Sequence, residues 1–147
     1  MIELDYVFRP EEVIVRWDWA VAPDWAYVYD AFPGDVHVLV NGKDLSAAWG
    51  WVTILYFALR LRRAVSEAEA RGVGVVDFTE SELTLVLSRA DGDIEVRADW
   101  VPEPAFVELG ELRSASDAFA ARVRTDFERT YPATIENPRY REFQSRF

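Results

Sequence analysis

Three features of the sequence predict an α+β domain built on a mostly antiparallel sheet. Half of the 147 residues are hydrophobic and 14% are aromatic, which is enough apolar material for a core at this chain length. Short runs rich in β-branched and aromatic residues alternate with turn signals, as strands do. A long apolar run and a later stretch with apolar residues at helical spacing predict two helices, over about residues 45–71 and 110–130.

Six short runs are predicted to be strands. Asn41-Gly42 is expected to end the strand over residues 36–40, and Asp91-Gly92 is expected to form a tight hairpin turn between the last two strands. After Asp91-Gly92, apolar residues alternate with Glu95, Arg97 and Asp99, so one face of the sheet is expected to contact water. The predicted strands cover residues 13–19, 26–29, 36–40, 74–78, 83–87 and 93–100.

The first predicted helix begins near Asp44 or Ser46, either of which is a good N-cap, and ends at Gly72. Its first half is apolar on nearly all sides and is expected to be buried across the sheet, whereas its charged second half is expected to project into water. The uncharged stretch 45–59 falls short of the ~20 residues that cross a bilayer. The second helix is predicted to cover the sheet, and segment 137–147 to add a short last helix.

The chain is predicted to be a single domain over residues 1–147, because no repeat or flexible linker divides it. It contains no cysteine, which excludes disulfide bonds, thiolate metal sites and cysteine nucleophiles. Met1–Asp5 carries acids where a signal peptide carries a basic flank and an apolar run. A soluble cytoplasmic protein of bacterial type is therefore expected.

The acidic balance of the chain limits its partners. The formal net charge is −10, which disfavours nucleic acids and anionic membranes because both are bound through Lys and Arg. Residues 1–59 carry nine acids and three bases, and residues 77–111 carry ten acids and two bases. The acidity is therefore expected on the strands and loops, and a basic protein is the predicted partner.

The residue types that carry catalysis and metal binding are sparse. His37 is the only histidine, and its place between valines in a predicted strand favours a structural role. Asp77, Glu80 and Glu82 around one turn are the carboxylates best placed for acid–base chemistry or for a hard cation. Solvated turn acids are the simpler interpretation. No catalytic residue, metal ligand or cofactor site is predicted.

One basic cluster lies on the first predicted helix. Arg60, Arg62 and Arg63 follow its apolar half. The simplest interpretation is a solvated helical face with ion pairs to Glu67, which lies at the helical spacing such pairs require.

Six Trp residues are many for a core of this size, because each indole is large and its N–H needs a partner. Core packing explains most of them. Trp and Tyr also anchor protein interfaces, and the aromatic residues between Pro23 and Asp30 lie among acids. The predicted protein-binding residues are Trp25, Tyr27, Tyr29, Asp30, Asp35, Asp77, Glu80, Glu82, Asp91 and Asp93.

One stretch resembles a known class of proteins. Val76-Asp77-Phe78-Thr79-Glu80-Ser81 leads into Leu83-Thr84-Leu85-Val86-Leu87-Ser88-Arg89 and a tight hairpin. This order of elements resembles the small bacterial immunity proteins that occur beside polymorphic toxins. The resemblance implies an interaction role and carries over no functional residue, since those families share no catalytic motif.

The leading hypothesis is thus a non-catalytic acidic binding domain, such as an immunity-type inhibitor of a basic toxin or nuclease. Two alternatives stay open. One is an enzyme or small-molecule-binding protein in which Asp77, Glu80, Glu82 or His37 lies in an aromatic pocket. The other is a structural homo-oligomer, such as a homodimer, in which Trp residues meet at a symmetry axis.

Overall fold

Two four-stranded antiparallel sheets form the framework, in a computed structural model that describes all 147 residues. In the first sheet β2 is central, with β1 on one side and β3 and β4 on the other. The second sheet is a meander in chain order. The strands are β1 (Ile2–Phe8), β2 (Pro33–Val40), β3 (Lys43–Asp44), β4 (Ala47–Thr53), β5 (Val73–Phe78), β6 (Ser81–Ala90), β7 (Asp93–Ala98) and β8 (Ala105–Glu108).

Four α-helices cover and connect the sheets. They are α1 (Asp24–Tyr29), α2 (Ile54–Arg71), α3 (Leu109–Thr130) and α4 (Pro138–Ser145), with short 3-10 helices at Pro10–Glu12 and Pro132–Glu136. α2 packs between α3 and β5, α3 also contacts β1, and α1 packs on α4. Neither long helix has the unbroken apolar length that crossing a membrane requires.

The α+β fold and most element types agree with the sequence prediction. The second helix lies within one residue of its predicted start, and α4 occupies the predicted last-helix segment. Asn41 and Gly42, like Asp91 and Gly92, all have positive φ angles, between 48° and 91°. These four residues therefore form the two left-handed turns that their types favour.

The region before β2 differs from the prediction. Residues 13–19 are not a strand but part of an irregular loop, and residues 26–29 belong to α1. A strand needs a neighbour for its backbone N–H and C=O groups, and β2 is already paired with β1 on one side and with β3 and β4 on the other. The first strand of the fold is instead β1, whose apolar residues alternate with acids.

The long helix begins at Ile54, nine residues later than predicted, because residues 47–53 form β4. Gly50 has a φ of 80°, which is incompatible with a helix interior, and Val52 and Thr53 are β-branched and suit a strand. The end of the helix agrees with the prediction, since Gly72 is its left-handed C-cap.

The second half of α2 is also more buried than predicted. Leu61, Ala64, Val65 and Ala68 are at most 2% exposed, because the charged residues of this segment lie on one side of the helix only. The other side packs against α3 and β5, which makes α2 a core helix over its whole length.

An aromatic cluster joins α3 to the segment that precedes β2. Phe127 is fully buried at its centre, and its ring centroid lies 5.3 Å from that of Trp19, 6.2 Å from Tyr27 and 5.7 Å from Phe32. Aromatic pairs at these separations attract each other beyond their burial alone. The cluster therefore ties the loop and α1 to the core.

Candidate protein-binding surface

The loop before α1, together with α1, presents a concentration of exposed apolar side chains. Five of the eleven exposed large hydrophobic residues of the protein lie between residues 13 and 29. The most exposed of these side chains are Ile14, at 94%, and Val21, at 75%. Trp25 and Tyr29 on α1 are half exposed. Clustered exposed apolar residues within a polar surround mark interaction sites in folded proteins. We call residues 13–29 the loop–helix surface.

A buried hydrogen-bond network anchors the loop–helix surface from below. The side-chain amide of Asn137 donates to the carbonyls of Trp19 and Ala22 at 3.0 and 2.9 Å and to the hydroxyl of Tyr27 at 3.0 Å. The Tyr27 hydroxyl also lies 2.7 Å from that of Thr134. These contacts satisfy backbone groups that an irregular loop would otherwise leave unpaired. They therefore hold in place the backbone that carries the exposed side chains.

An acid-lined cleft of about 390 Å³ borders the loop–helix surface. Its apolar lining includes Ile14 and the ring of Trp51 from β4. Its charged lining consists only of carboxylates, and none of these lies within 4.0 Å of a basic nitrogen. We call this the acidic cleft; it is lined by Glu12, Val13, Ile14, Tyr29, Asp30, Pro33, Trp51 and Glu80.

A neighbouring cleft of about 570 Å³ also has Tyr29 in its lining and contains three arginines. Arg60 lies 2.9 Å from a carboxylate oxygen of Glu67, and Arg63 lies 3.2 Å from the same oxygen, so the predicted pairing with Glu67 is confirmed. Arg146 pairs with the carboxylate of Asp24. The positive charges of this cleft are thus already neutralised within the protein.

The structure brings together four of the ten predicted binding residues. Tyr29, Asp30 and Glu80 line the acidic cleft, and Trp25 lines the neighbouring cleft together with Tyr29. The indole N–H of Trp17 donates to Asp30 at 2.7 Å, which fixes one oxygen of that carboxylate.

Tyr27 and Asp35 are corrections to the prediction, since burial removes both from any contact surface. Tyr27 is 0% exposed within the aromatic cluster, and Asp35 is 4% exposed. Tyr27 points inward because α1 places it on the face opposite Trp25 and Tyr29, whereas a strand would have put all three residues on one face.

The remaining predicted acids lie apart from the acidic cleft. The hydroxyl of Tyr56 donates to both oxygens of Asp77 at 2.9 Å. Burial, with the Asp77 carboxylate beside it, raises the pKa of Tyr56, so this phenol stays protonated as the donor. Glu82 is exposed on β6. Asp91 and Asp93 lie beyond the far end of that ten-residue strand, about 30 Å from Glu80.

Asp35 has a structural role instead. Arg9 donates to its Oδ2 atom at 2.6 and 2.9 Å, and the backbone N–H of Gly50 donates to its Oδ1 atom at 2.7 Å. The Arg9 guanidinium, and with it the Gly50 N–H, holds the pKa of Asp35 below its usual value. The Arg9 contacts tie the end of β1 to β2, and the Gly50 contact ties β2 to β4.

Replacing Arg9 with alanine is therefore expected to lower the free energy of unfolding near neutral pH, because the buried carboxylate of Asp35 loses its charged hydrogen bonds. The pKa of Asp35 is lower folded than unfolded, so the stabilisation is present above about pH 4 and is lost as the pH falls through the folded pKa. Urea unfolding at pH 7, 4 and 3 measures this loss. Arg16→Ala, at an exposed arginine without an ion pair, is the control. If Arg9→Ala lowered the free energy of unfolding by the same amount at all three pH values, the result would contradict this role for Asp35.

The residues considered for catalysis do not share a cleft. His37 is partly buried on β2, opposite Asp5 of β1. None of five surface clefts contains two of the residues His37, Asp77, Glu80 and Glu82. No three His, Cys, Asp or Glu side chains are grouped as metal ligands.

Sequence reasoning missed Glu12, Ile14 and Trp51 as cleft residues. The prediction of a strand over residues 13–19 placed Ile14 among ordinary sheet residues, and the early helix start hid Trp51 in a core helix. The proline at position 10 and the two nearby acids were the available signals of a loop at this point.

Comparison with protein-family models, with curated proteins and with solved structures finds no match to this chain.

Proposed function

We propose that this protein is a non-catalytic binding protein that holds a basic protein partner on the loop–helix surface and the acidic cleft. The observation that carries this proposal is the meeting of exposed apolar side chains with a cleft whose charges are all negative and unpaired. An apolar centre with a charged rim is the common anatomy of protein interfaces.

The two parts of the surface have different roles in binding. Burial of Ile14, Trp25 and Tyr29 supplies affinity, because large side chains that lose contact with water dominate interface energies. The acids speed the encounter with a positively charged partner and disfavour acidic competitors. Residues 10–30 carry five acids and one base, which supports this role.

An immunity-type inhibitor of a basic toxin or nuclease is the specific form of this proposal. Supporting it are the net charge of −10, the resemblance of the β5–β6 region to immunity proteins, and a preformed surface on a buried anchor. Such an inhibitor acts in the cytoplasm, by covering the basic surface or active site of the toxin before it reaches its target.

The test begins with capture of partners from extracts of the source organism, at low and high salt. Any basic protein retained is then purified, and its affinity is measured by calorimetry for matched variants. Ile14→Asp is expected to weaken binding at least ~100-fold and Trp25→Ala ~30-fold, as truncations at interface centres do. Phe106→Ala, which removes an equally exposed ring on β8, serves as the control.

Equal losses for Trp25→Ala and Phe106→Ala would refute this surface as the binding site. Two other results would favour the alternatives. Retention of a metabolite in place of a protein supports a small-molecule-binding function, and a light-scattering mass of two chains that Trp25→Ala reduces to one supports a homodimer.

A further inference from the structure

We propose that the acidic cleft receives an arginine side chain of the basic partner, with the guanidinium against the Tyr29 and Trp51 rings and paired with the surrounding carboxylates. This inference rests on the proposed function and specifies which chemical group of the partner the cleft recognises.

The unpaired state of the cleft carboxylates is the first argument. Glu12 comes from the 3-10 helix before the loop, Asp30 from the end of α1, and Glu80 from the turn between β5 and β6. In the neighbouring cleft, by contrast, the carboxylate of Glu67 is paired with Arg60 and Arg63. The acidic cleft therefore lacks a cation that a partner can provide.

The apolar wall of the cleft is the second argument, and it separates this place from the many other acids of the chain. Tyr29 is half exposed and Trp51 partly exposed, so both rings can be reached from solvent. A cation over an aromatic face is attracted by the ring, more strongly as water is excluded. Charge and an aromatic wall together suit a large cation with apolar faces.

The chemistry of the acidic cleft favours arginine over lysine. A guanidinium is planar, weakly hydrated and able to stack on a ring while its edge donates to carboxylates, whereas an ammonium is compact and strongly hydrated. The Trp17 indole N–H donates to the Oδ2 atom of Asp30. This hydrogen bond holds the carboxylate in place, and its Oδ1 atom remains available as an acceptor. The volume of about 390 Å³ leaves room for the aliphatic part of the side chain beside Ile14.

The neighbouring arginine-containing cleft supports this choice of site. It is larger, at about 570 Å³, and its lining also includes Tyr29, but its one carboxylate, Glu67, is already paired with Arg60 and Arg63 and offers no free partner to another cation. An arginine that approaches the exposed side of α1 is therefore directed to the Glu80 side of Tyr29 and away from the Arg63 side.

The probe for this inference is N-acetyl-arginine amide, titrated into the ¹⁵N-labelled protein and followed by NMR. We expect saturable shifts of the Trp51 indole N–H and of the backbone N–H groups of Ile14, Asp30 and Glu80, with a dissociation constant on the order of millimolar. N-acetyl-lysine amide is expected to bind at least ~3-fold more weakly. N-acetyl-glutamine amide, which is neutral, is expected to give no saturable shift.

Charge-matched variants identify the carboxylates involved. Glu80→Gln is expected to weaken binding of the arginine probe ~10-fold, since one charged hydrogen bond is lost. Asp91→Asn removes the same charge beyond the far end of β6, at a turn position where asparagine is equally suited, and is expected to change the affinity less than ~1.5-fold.

Two results would overturn the arginine site. One is a loss of affinity as large in Asp91→Asn as in Glu80→Gln, which would mean general attraction to an acidic protein. The other is an equal response to the arginine and glutamine probes. If Ile14→Asp abolishes partner binding while Glu80→Gln leaves it intact, the arginine site fails and the proposed function stands. If the probe binds as expected but no protein partner is retained, the proposed function fails and a small cationic ligand takes its place.

Discussion

Replacing Phe127 with alanine is expected to lower the free energy of unfolding by about 4 kcal/mol, the largest single effect among the substitutions considered. Phe127 is fully buried, and its ring meets those of Trp19, Tyr27 and Phe32. Truncation leaves a cavity among rigid rings that cannot close around it. Urea unfolding followed by circular dichroism measures the change, as a fall in the midpoint at an unchanged slope.

The Phe127→Ala variant also tests whether the aromatic cluster supports the loop–helix surface. Because Phe127 supports Trp19 and α1, its loss is expected to weaken partner binding even under conditions in which the variant is folded. Phe127→Leu, which keeps most of the volume, is expected to lose only about 1 kcal/mol. Phe106→Ala, at a ring that is 46% exposed, is the control for an aromatic truncation outside the core. A loss below about 1 kcal/mol for Phe127→Ala would show that this cluster is not tightly packed.

Replacing Asn137 with alanine is expected to lower the free energy of unfolding by about 3 kcal/mol. Asn137 is 1% exposed and its amide donates to the carbonyls of Trp19 and Ala22 and to the Tyr27 hydroxyl. Its Oδ1 atom also accepts from the backbone N–H of Arg139 and so caps α4. The alanine variant leaves a buried carbonyl without a donor and removes the cap.

Thermal unfolding should show a fall of about 10 °C for Asn137→Ala. Asn137→Ser separates the two contributions, because serine is also a good N-cap but cannot reach three acceptors, and it is expected to recover about 1 kcal/mol. Hydrogen exchange of residues 13–22 should accelerate in both variants, since the loop loses its anchor. Unchanged exchange in this loop would disprove the anchoring role of Asn137.

The candidate surface was partly predictable from residue types. Aromatic residues among acids pointed to Trp25, Tyr29 and Asp30, and a cluster of turn acids pointed to Glu80. The structure places these four residues along two clefts that share Tyr29. Tyr27 was predicted beside them because a strand was assumed, and α1 turns it inward. Local sequence did not distinguish these two outcomes, since segment 24–29 contains residues suited to either element.

Whether each carboxylate is buried in an ion pair or left unpaired was less predictable from the sequence. Asp35 and Asp30 look alike in the sequence, each close to a proline or glycine and to aromatic residues. Asp35 is buried because Arg9, 26 residues earlier in the chain, reaches it from the end of β1. Asp30 meets only the neutral indole of Trp17, so its charge is available to a partner.

The sequence alone determined the features that depend on neighbouring residues. The left-handed turns at Asn41-Gly42 and Asp91-Gly92, the stop of α2 at Gly72 and the apolar face of α3 all follow from backbone preference and helical spacing. The tertiary structure decided which β-forming runs became strands, because each strand needs a partner and residues 47–53 found one where residues 13–19 did not. It also decided which acids remained unpaired, because ion pairing depends on distances in space between residues that are far apart in the chain.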